Sequence, residues 1–171
     1  DEESYSESQY ESISRRLYGV VFGVAAQIVA EGVCSMEDVD RGAKVGLRWA
    51  RGPFELMNKV GVKNSYEMAE DYLTLCKDEA GNSNWNLPEF FATQASDNAD
   101  WNFSYVDTQI ENGIATLTIN RPEAMNAING ALSHGLLNAV RELDADDSLT
   151  AGIITGAGRA FCAGMDLKAF A

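Results

Sequence analysis

The stretch AGIITGAGRAFCAGMDLKAFA, Ala151 to Ala171, decides how the chain is read. Ala151 to Thr155 is rich in β-formers and stops at Gly156, so it predicts a strand running into the Gly156-Ala157-Gly158 turn. Phe161 is a large apolar residue of the following loop and is expected to anchor it in a core. Cys162-Ala163-Gly164 are small and let the backbone pass close to another group, and Asp166 stands where a helix would begin. Backbone N–H groups presented on small residues ahead of a helix suit a developing oxyanion.

Working back from that stretch, Ser104 to Ile110 and Ile114 to Ile119 alternate apolar and polar residues. Asn112-Gly113 between them is a strong hairpin signal. Asn120 to Ala127 (NRPEAMNA) follows a strand and precedes a helix, a usual place for a binding loop. Asn129 is a candidate cap for that helix, with Leu132, Leu136, Val140 and Leu143 as its inward stripe. His134, the chain's one histidine, lies off the stripe and has no partner at useful spacing, so it reads as an exposed helix residue. A polar loop from Asp144 to Ser148 leads into the third strand.

RAFCAGMDLK together with NRPEAMNA resembles the crotonase (enoyl-CoA hydratase/isomerase) family. That resemblance implies an acyl-CoA thioester whose carbonyl is polarised by two backbone N–H groups, the first being that of Met165. It also implies a coenzyme A site lined by Ala124, Met125 and Ala127 on one loop and by Ala163, Gly164 and Leu167 on the other. Asp166 has two readings, a helix N-cap or a polar contact near the acyl group. The family's second donor and its acid/base carboxylates lie further along than Ala171, so the expectation is an incomplete site and a chain inactive by itself.

The first 77 residues read as all-α. Ile13, Leu17, Val20, Val21, Val24, Ile28 and Val29 recur with a helical period, and Glu31-Gly32 supplies a stop. Gly19 and Gly23 within that helix are best explained by close helix packing. Ser35 caps a second helix, Pro53 opens a third that ends at Gly61, and Ser65 is expected to cap a fourth. The Arg16-Leu17 start, the Glu37-Asp38-Val39-Asp40 run and Gly52-Pro53-Phe54-Glu55-Leu56 resemble the C-terminal helical domain of 3-hydroxyacyl-CoA dehydrogenases. Many active members carry Asn before the Arg-Leu pair, where this chain has Arg15. An amide donates and accepts, whereas a guanidinium only donates. The resemblance therefore implies a non-catalytic copy that packs, dimerises or joins domains.

Residues 78–103 read as a linker, with Gly81, Pro88 and several Asn. Leu87, Phe90, Phe91 and Trp101 are too apolar for free coil, so part of it should dock on a neighbour. Trp85 and Trp101 read as surface packing in preference to a ligand-stacking pair.

Composition narrows the function classes. Net charge is −13, which disfavours nucleic acid and anionic membranes as partners. Cys34, Cys76 and Cys162 fit no metal spacing and read as small buried hydrophobes in a reducing compartment, as in a cytoplasmic protein. The longest apolar run, Gly19 to Ala26, falls short of the roughly 20 residues a membrane span needs. Gly156-Ala157-Gly158-Arg159-Ala160-Phe161 imitates a dinucleotide fingerprint but has Phe161 in place of the third glycine.

The sequence thus predicts an α + α/β chain. A helical dehydrogenase-like domain over 1–77 and a linker over 78–103 precede an incomplete crotonase-like β-β-α-β unit over 104–171. The resemblances imply a bifunctional β-oxidation protein, homo-oligomeric, acting on acyl-CoA and using NAD in a separate domain, with no metal. An enoyl-CoA isomerase and a non-catalytic interaction module are the competing readings.

Overall fold

The computed structural model describes residues 6–77 and 85–167. The chain forms two units, Asp1–Trp101 and Asn102–Ala171. The first contains α1 (Glu7–Ala30), α2 (Met36–Gly46), α3 (Pro53–Val60), α4 (Val62–Leu75) and α5 (Glu89–Asp97). The second contains β1 (Val106–Glu111), β2 (Ile114–Ile119), a 3-10 turn (Pro122–Ala124), α6 (Gly130–Asp144) and β3 (Ala151–Gly156). The expected β-β-α-β order is present.

Helix α1 packs on α4 through its smallest residues. Gly19, Phe22, Gly23, Ala25 and Ala26 are buried. A Cβ on Gly19 would stand 2.4 Å from the Met68 carbonyl oxygen, so the glycine sets how closely the helices approach. The predicted stripe is displaced: Ile13, Leu17 and Val24 are exposed. Small residues outcompete bulky ones at the α1–α4 contact because only they admit the neighbouring backbone. By length and mean hydropathy (24 residues, 1.2) α1 would also suffice to cross a membrane. Here its buried face belongs to the core of the helical unit.

The third helix has a cap brought from a distance. Gly52 at its N-cap has no side chain to accept from the first turn. Asp40 of α2 does so instead, accepting from Phe54 N–H at 2.8 Å and Glu55 N–H at 2.9 Å. Gly52 is required by this arrangement, because a Cβ there would fall 2.2 Å from the Asp40 carboxyl carbon. Glu55 completes the turn, accepting from Gly52 N–H at 3.2 Å and pairing with Lys44 at 2.6 Å. The Gly-Pro-Phe-Glu segment and Asp40 are one device. Fully buried, Asp40 has its pKa raised to about 6 by desolvation, against the opposing pull of the two backbone donors.

Three expectations for this unit are corrected. Its cysteines are not buried core residues: Cys76 is exposed and Cys34 half-buried, as Cys162 is in the second unit. Ser65 does not cap α4, which starts at Val62; its hydroxyl donates to Gly61 O at 2.9 Å. The stretch expected to be linker carries α5, with Phe91 fully buried. Trp101 meets Phe54 and Phe90 edge-to-face and Phe91 at a tilt, and ties back through Asn58, whose side chain accepts from its N–H at 2.7 Å. Trp85 meets Tyr72 and Gly23. Both tryptophans are packing residues. The rest of the linker reading, residues 78–84, lies outside the described residues.

In the second unit β1 and β2 pair antiparallel across Asn112-Gly113, and both turn residues have positive φ (52° and 76°), as a tight hairpin requires. β3 pairs parallel to β2, with α6 as the crossover. Asn129 caps α6, accepting from Leu132 N–H at 2.9 Å. A core of Tyr105, Ile119 and Leu132 seats the start of the hairpin against the helix. β3 is an edge strand with Ile153 and Ile154 exposed, flanked by an open apolar trough of about 370 Å³ beside Ala115, Leu117, Val140 and Leu143.

Candidate functional site

Two loops of the second unit, 120–128 and 157–166, are stitched together. Ala163 N–H donates to Met125 O at 3.0 Å, Ile128 N–H to Gly164 O at 2.8 Å, and Asp166 N–H to Ile128 O at 2.9 Å. The last two bonds form a parallel bridge between Ile128 and Met165. The predicted residues are therefore brought to one place: Ala124, Met125 and Ala127 from one loop, and Ala163, Gly164, Met165, Asp166 and Leu167 from the other.

The geometry of the bridge settles where the Met165 N–H points. The peptide joining Gly164 to Met165 is trans, so its C=O and N–H are directed oppositely. Its carbonyl faces Ile128; its N–H faces away. Among the described residues that N–H has no acceptor, while Asp166 N–H after it bonds to Ile128 O and Gly164 N–H before it to Cys162 Sγ at 3.4 Å. Gly164 makes the turn possible with φ of +96°. Met165 is 63% exposed and Leu167 81% exposed, and Met125 is also open to solvent.

Asn126 is the hub beneath these loops. It is fully buried, with φ of +56°, and satisfies its whole amide. Its Oδ1 accepts from Arg121 N–H at 2.9 Å, and its Nδ2 donates to Ala157 O at 2.9 Å and Ala160 O at 2.7 Å. Arg121 is the second hub, its Nη1 donating to Ala127 O at 3.0 Å and to Asp166 Oδ2 at 2.6 Å. Both side chains of that ion pair are mostly buried (16% and 14% exposed). Asp166 is thus engaged by Arg121 through its carboxylate and by Ile128 through its amide. The helix it was expected to cap lies largely outside the described residues, as do Lys168 to Ala171.

Three further expectations meet the structure here. Phe161 does not anchor its loop; it is 59% exposed, and Asn126 does that work from inside. His134 is exposed on α6. The Gly156-Ala157-Gly158 turn does not fit a dinucleotide. A Cβ on Gly156 would meet the carbonyl oxygens of Phe161 and Ala160 at 2.4 and 2.6 Å, so the close approach is to the chain's own loop. Ala157 and Ala160 carbonyls are already taken by Asn126. No group of three or more metal-ligating side chains occurs among the described residues.

Arg121 and Asn126 belong to the loop predicted from sequence, where neither carries an expected role. The available signal was Asn at a position preceding a helix cap, a residue type that tolerates left-handed backbone and can bond in several directions at once.

Residues 13–97 match the family described as 3-hydroxyacyl-CoA dehydrogenase, C-terminal domain, and residues 109–171 match enoyl-CoA hydratase/isomerase. A dehydrogenase-family helical segment is followed here by a crotonase-family segment. The crotonase-family segment is 40% identical over 64 residues to 1,2-epoxyphenylacetyl-CoA isomerase of Escherichia coli (strain K12), covering 37% of this chain and 24% of that protein. It is 46% identical over 57 residues to a probable peroxisomal enoyl-CoA hydratase 1 of Arabidopsis thaliana, covering 33% and 22%. Against the solved enoyl-CoA hydratase of Mycobacterium tuberculosis H37Rv it shows 51% identity, 39% and 27% coverage and a TM-score of 0.38. The chain spans about a quarter of the length of the curated relatives it matches.

Arg15 lies in the segment that matches the dehydrogenase helical domain. Its Nε donates to Asp71 Oδ2 of α4 at 2.6 Å. This exposed ion pair links α1 to α4.

Proposed function

We propose that this chain contributes the first part of an acyl-CoA site to a bifunctional β-oxidation protein, an enoyl-CoA hydratase joined to an NAD-dependent 3-hydroxyacyl-CoA dehydrogenase. The observation that carries the reading is the outward-facing, unbonded N–H of Met165 between two bonded neighbours. In hydration of a 2-enoyl thioester, water gives a proton to a general base as its oxygen bonds to Cβ and the electrons of the Cα–Cβ double bond move toward the carbonyl. The charge that collects on the thioester oxygen is what Met165 N–H stabilises, before a proton returns to Cα. A preorganised donor of this kind is worth about 10²–10³ in rate.

In this reading the loops at Ala124, Met125 and Ala127, and at Ala163, Gly164 and Leu167, receive the coenzyme A portion. The helical unit serves as a non-catalytic copy, consistent with the Arg15–Asp71 pair. NAD belongs to the parent protein's dehydrogenase half, and no step in this chain runs through it. A cytoplasmic homo-oligomer is part of the same proposal, supported by three free thiols and by the exposed Val24, Val45 and Leu47 of α1 and α2 and the segment after it. Sedimentation and cell fractionation test that part.

The test of function is crotonyl-CoA hydration, followed at the enoyl-thioester absorbance, by this chain and by the longest product of its gene. Activity in the long product alone is expected. Turnover by the 171-residue chain would show that the carboxylates lie within it. Inactivity of the long product with crotonyl-CoA, alongside double-bond migration in a 3-enoyl-CoA, would select isomerisation, which uses the same oxyanion.

A further inference from the structure

The ion pair between Arg121 and Asp166 runs from the core of the second unit to the residue next to the outward N–H. Tyr105 is buried in that core, and the Arg121 guanidinium carbon lies 5.9 Å from its ring centroid. From there Nη1 reaches both Ala127 O and Asp166 Oδ2. Asp166 in turn gives its amide to Ile128 O, which fixes the peptide after Met165 while Gly164 O fixes the one before it. Arg121 Nε is buried without an acceptor, so the guanidinium is oriented for Nη1 at the expense of its Nε–H.

We infer that Arg121 and Asp166 are positioning residues that hold the Met165 N–H in its outward direction, and that Asp166 acts through this pair and not by touching the acyl group. The inference rests on the reading of Met165 as the oxyanion donor. It assigns Asp166 a role neither of its two sequence readings contains. A carboxylate already paired at 2.6 Å and only 14% exposed has little left to offer a substrate.

Two arms test it. In the first, the 171-residue chain is labelled with ¹⁵N-Met, giving signals from Met36, Met57, Met68, Met125 and Met165, the last assigned by its loss in Met165→Leu. Asp166→Asn is expected to broaden or split the Met165 signal while Met125 and the three methionines of the helical unit stay in place. In the second, the longest gene product carrying Asp166→Asn is expected to lose about tenfold in kcat with KM within about twofold, as misplacing a donor predicts.

An unchanged Met165 signal would overturn the inference, as would a raised KM with kcat intact, which is the signature of direct contact. If Asp166→Asn also abolishes the Met125 signal, Arg121→Lys decides, since Lys keeps the charge but cannot span both acceptors. Loss of Met125 in both variants would make the pair a requirement of folding and overturn the assignment. The first arm reads geometry without turnover. A wild-type long product that fails to hydrate crotonyl-CoA therefore removes the functional reading while the positioning result stands separately.

Discussion

The two units use buried polar side chains for opposite ends. In the helical unit Asp40 closes a helix: its carboxylate takes up two amides of α3 that Gly52 cannot satisfy. In the second unit Asn126 and Arg121 close a gap between loops and leave the amide of Met165 outside the network. The same expense of burying polar atoms secures an element in one case and aims a donor in the other. Polar burial becomes informative about function when it surrounds an unbonded group.

The sharpest way to break that contrast is Asn126→Ala. It strands Arg121 N–H and the carbonyls of Ala157 and Ala160. Buried groups left unpaired cost about 1–3 kcal/mol each before relaxation, so a loss on the order of 3 kcal/mol is expected in the second unit alone. Hydrogen exchange resolved by segment would show it as deprotection of the second unit with α1 to α4 unmoved.

A somewhat smaller effect is expected on the other side of the comparison. Gly52→Ala drives a methyl into Asp40, and overpacking of this kind costs about 1–3 kcal/mol. Thermal unfolding followed at the tryptophans, all three of which lie at or before Trp101, should report it.

Acidity gives the smallest and most discriminating effect. Asp40 titrates near 6 in the folded unit against 3.8 for an ordinary Asp, chiefly through desolvation. The folded state therefore binds this proton more tightly than the unfolded chain. Its contribution to stability is full below about 3.8 and is lost as pH rises through about 6. From this group alone, the helical unit should gain on the order of 2 kcal/mol on acidification from neutrality toward pH 4. Denaturant midpoints across that range measure it. Asp40→Asn should flatten the trend, and a wild-type curve that is already flat would mean the two backbone donors outweigh burial.

Much of this was legible in the sequence because it depends on local chemistry. Asn112-Gly113 fixed a hairpin, Ser35 and Asn129 named their own helices, and NRPEAMNA with RAFCAGMDLK marked the two loops that meet. What escaped was long-range. Ser65 looked like a cap because Ser often is one, yet Gly61 ended α3 and α4 began immediately after it. Residues 89–97 looked like linker because their flanks are rich in Asn and Pro, while burial of Phe91 and the ring contacts of Trp101 hold them in the helical unit. Asp40's role as a cap for α3 spans 14 and 15 residues to its two donors, and no window short enough to show periodicity contains it. Phe161 was expected inside by hydrophobicity alone, and an amide, Asn126, occupies that role because only hydrogen bonds can hold the carbonyls of a glycine turn.

The most direct measurement is amide hydrogen exchange at four neighbouring positions of the ligand-free chain: Ile128, Ala163, Met165 and Asp166. The structure predicts protection at Ile128, Ala163 and Asp166, which are bonded across the loops, and fast exchange at Met165 alone. Equal protection at all four would mean that Met165 N–H is engaged and cannot serve an oxyanion. Equally fast exchange at all four would mean that the stitching between the loops does not hold it in place.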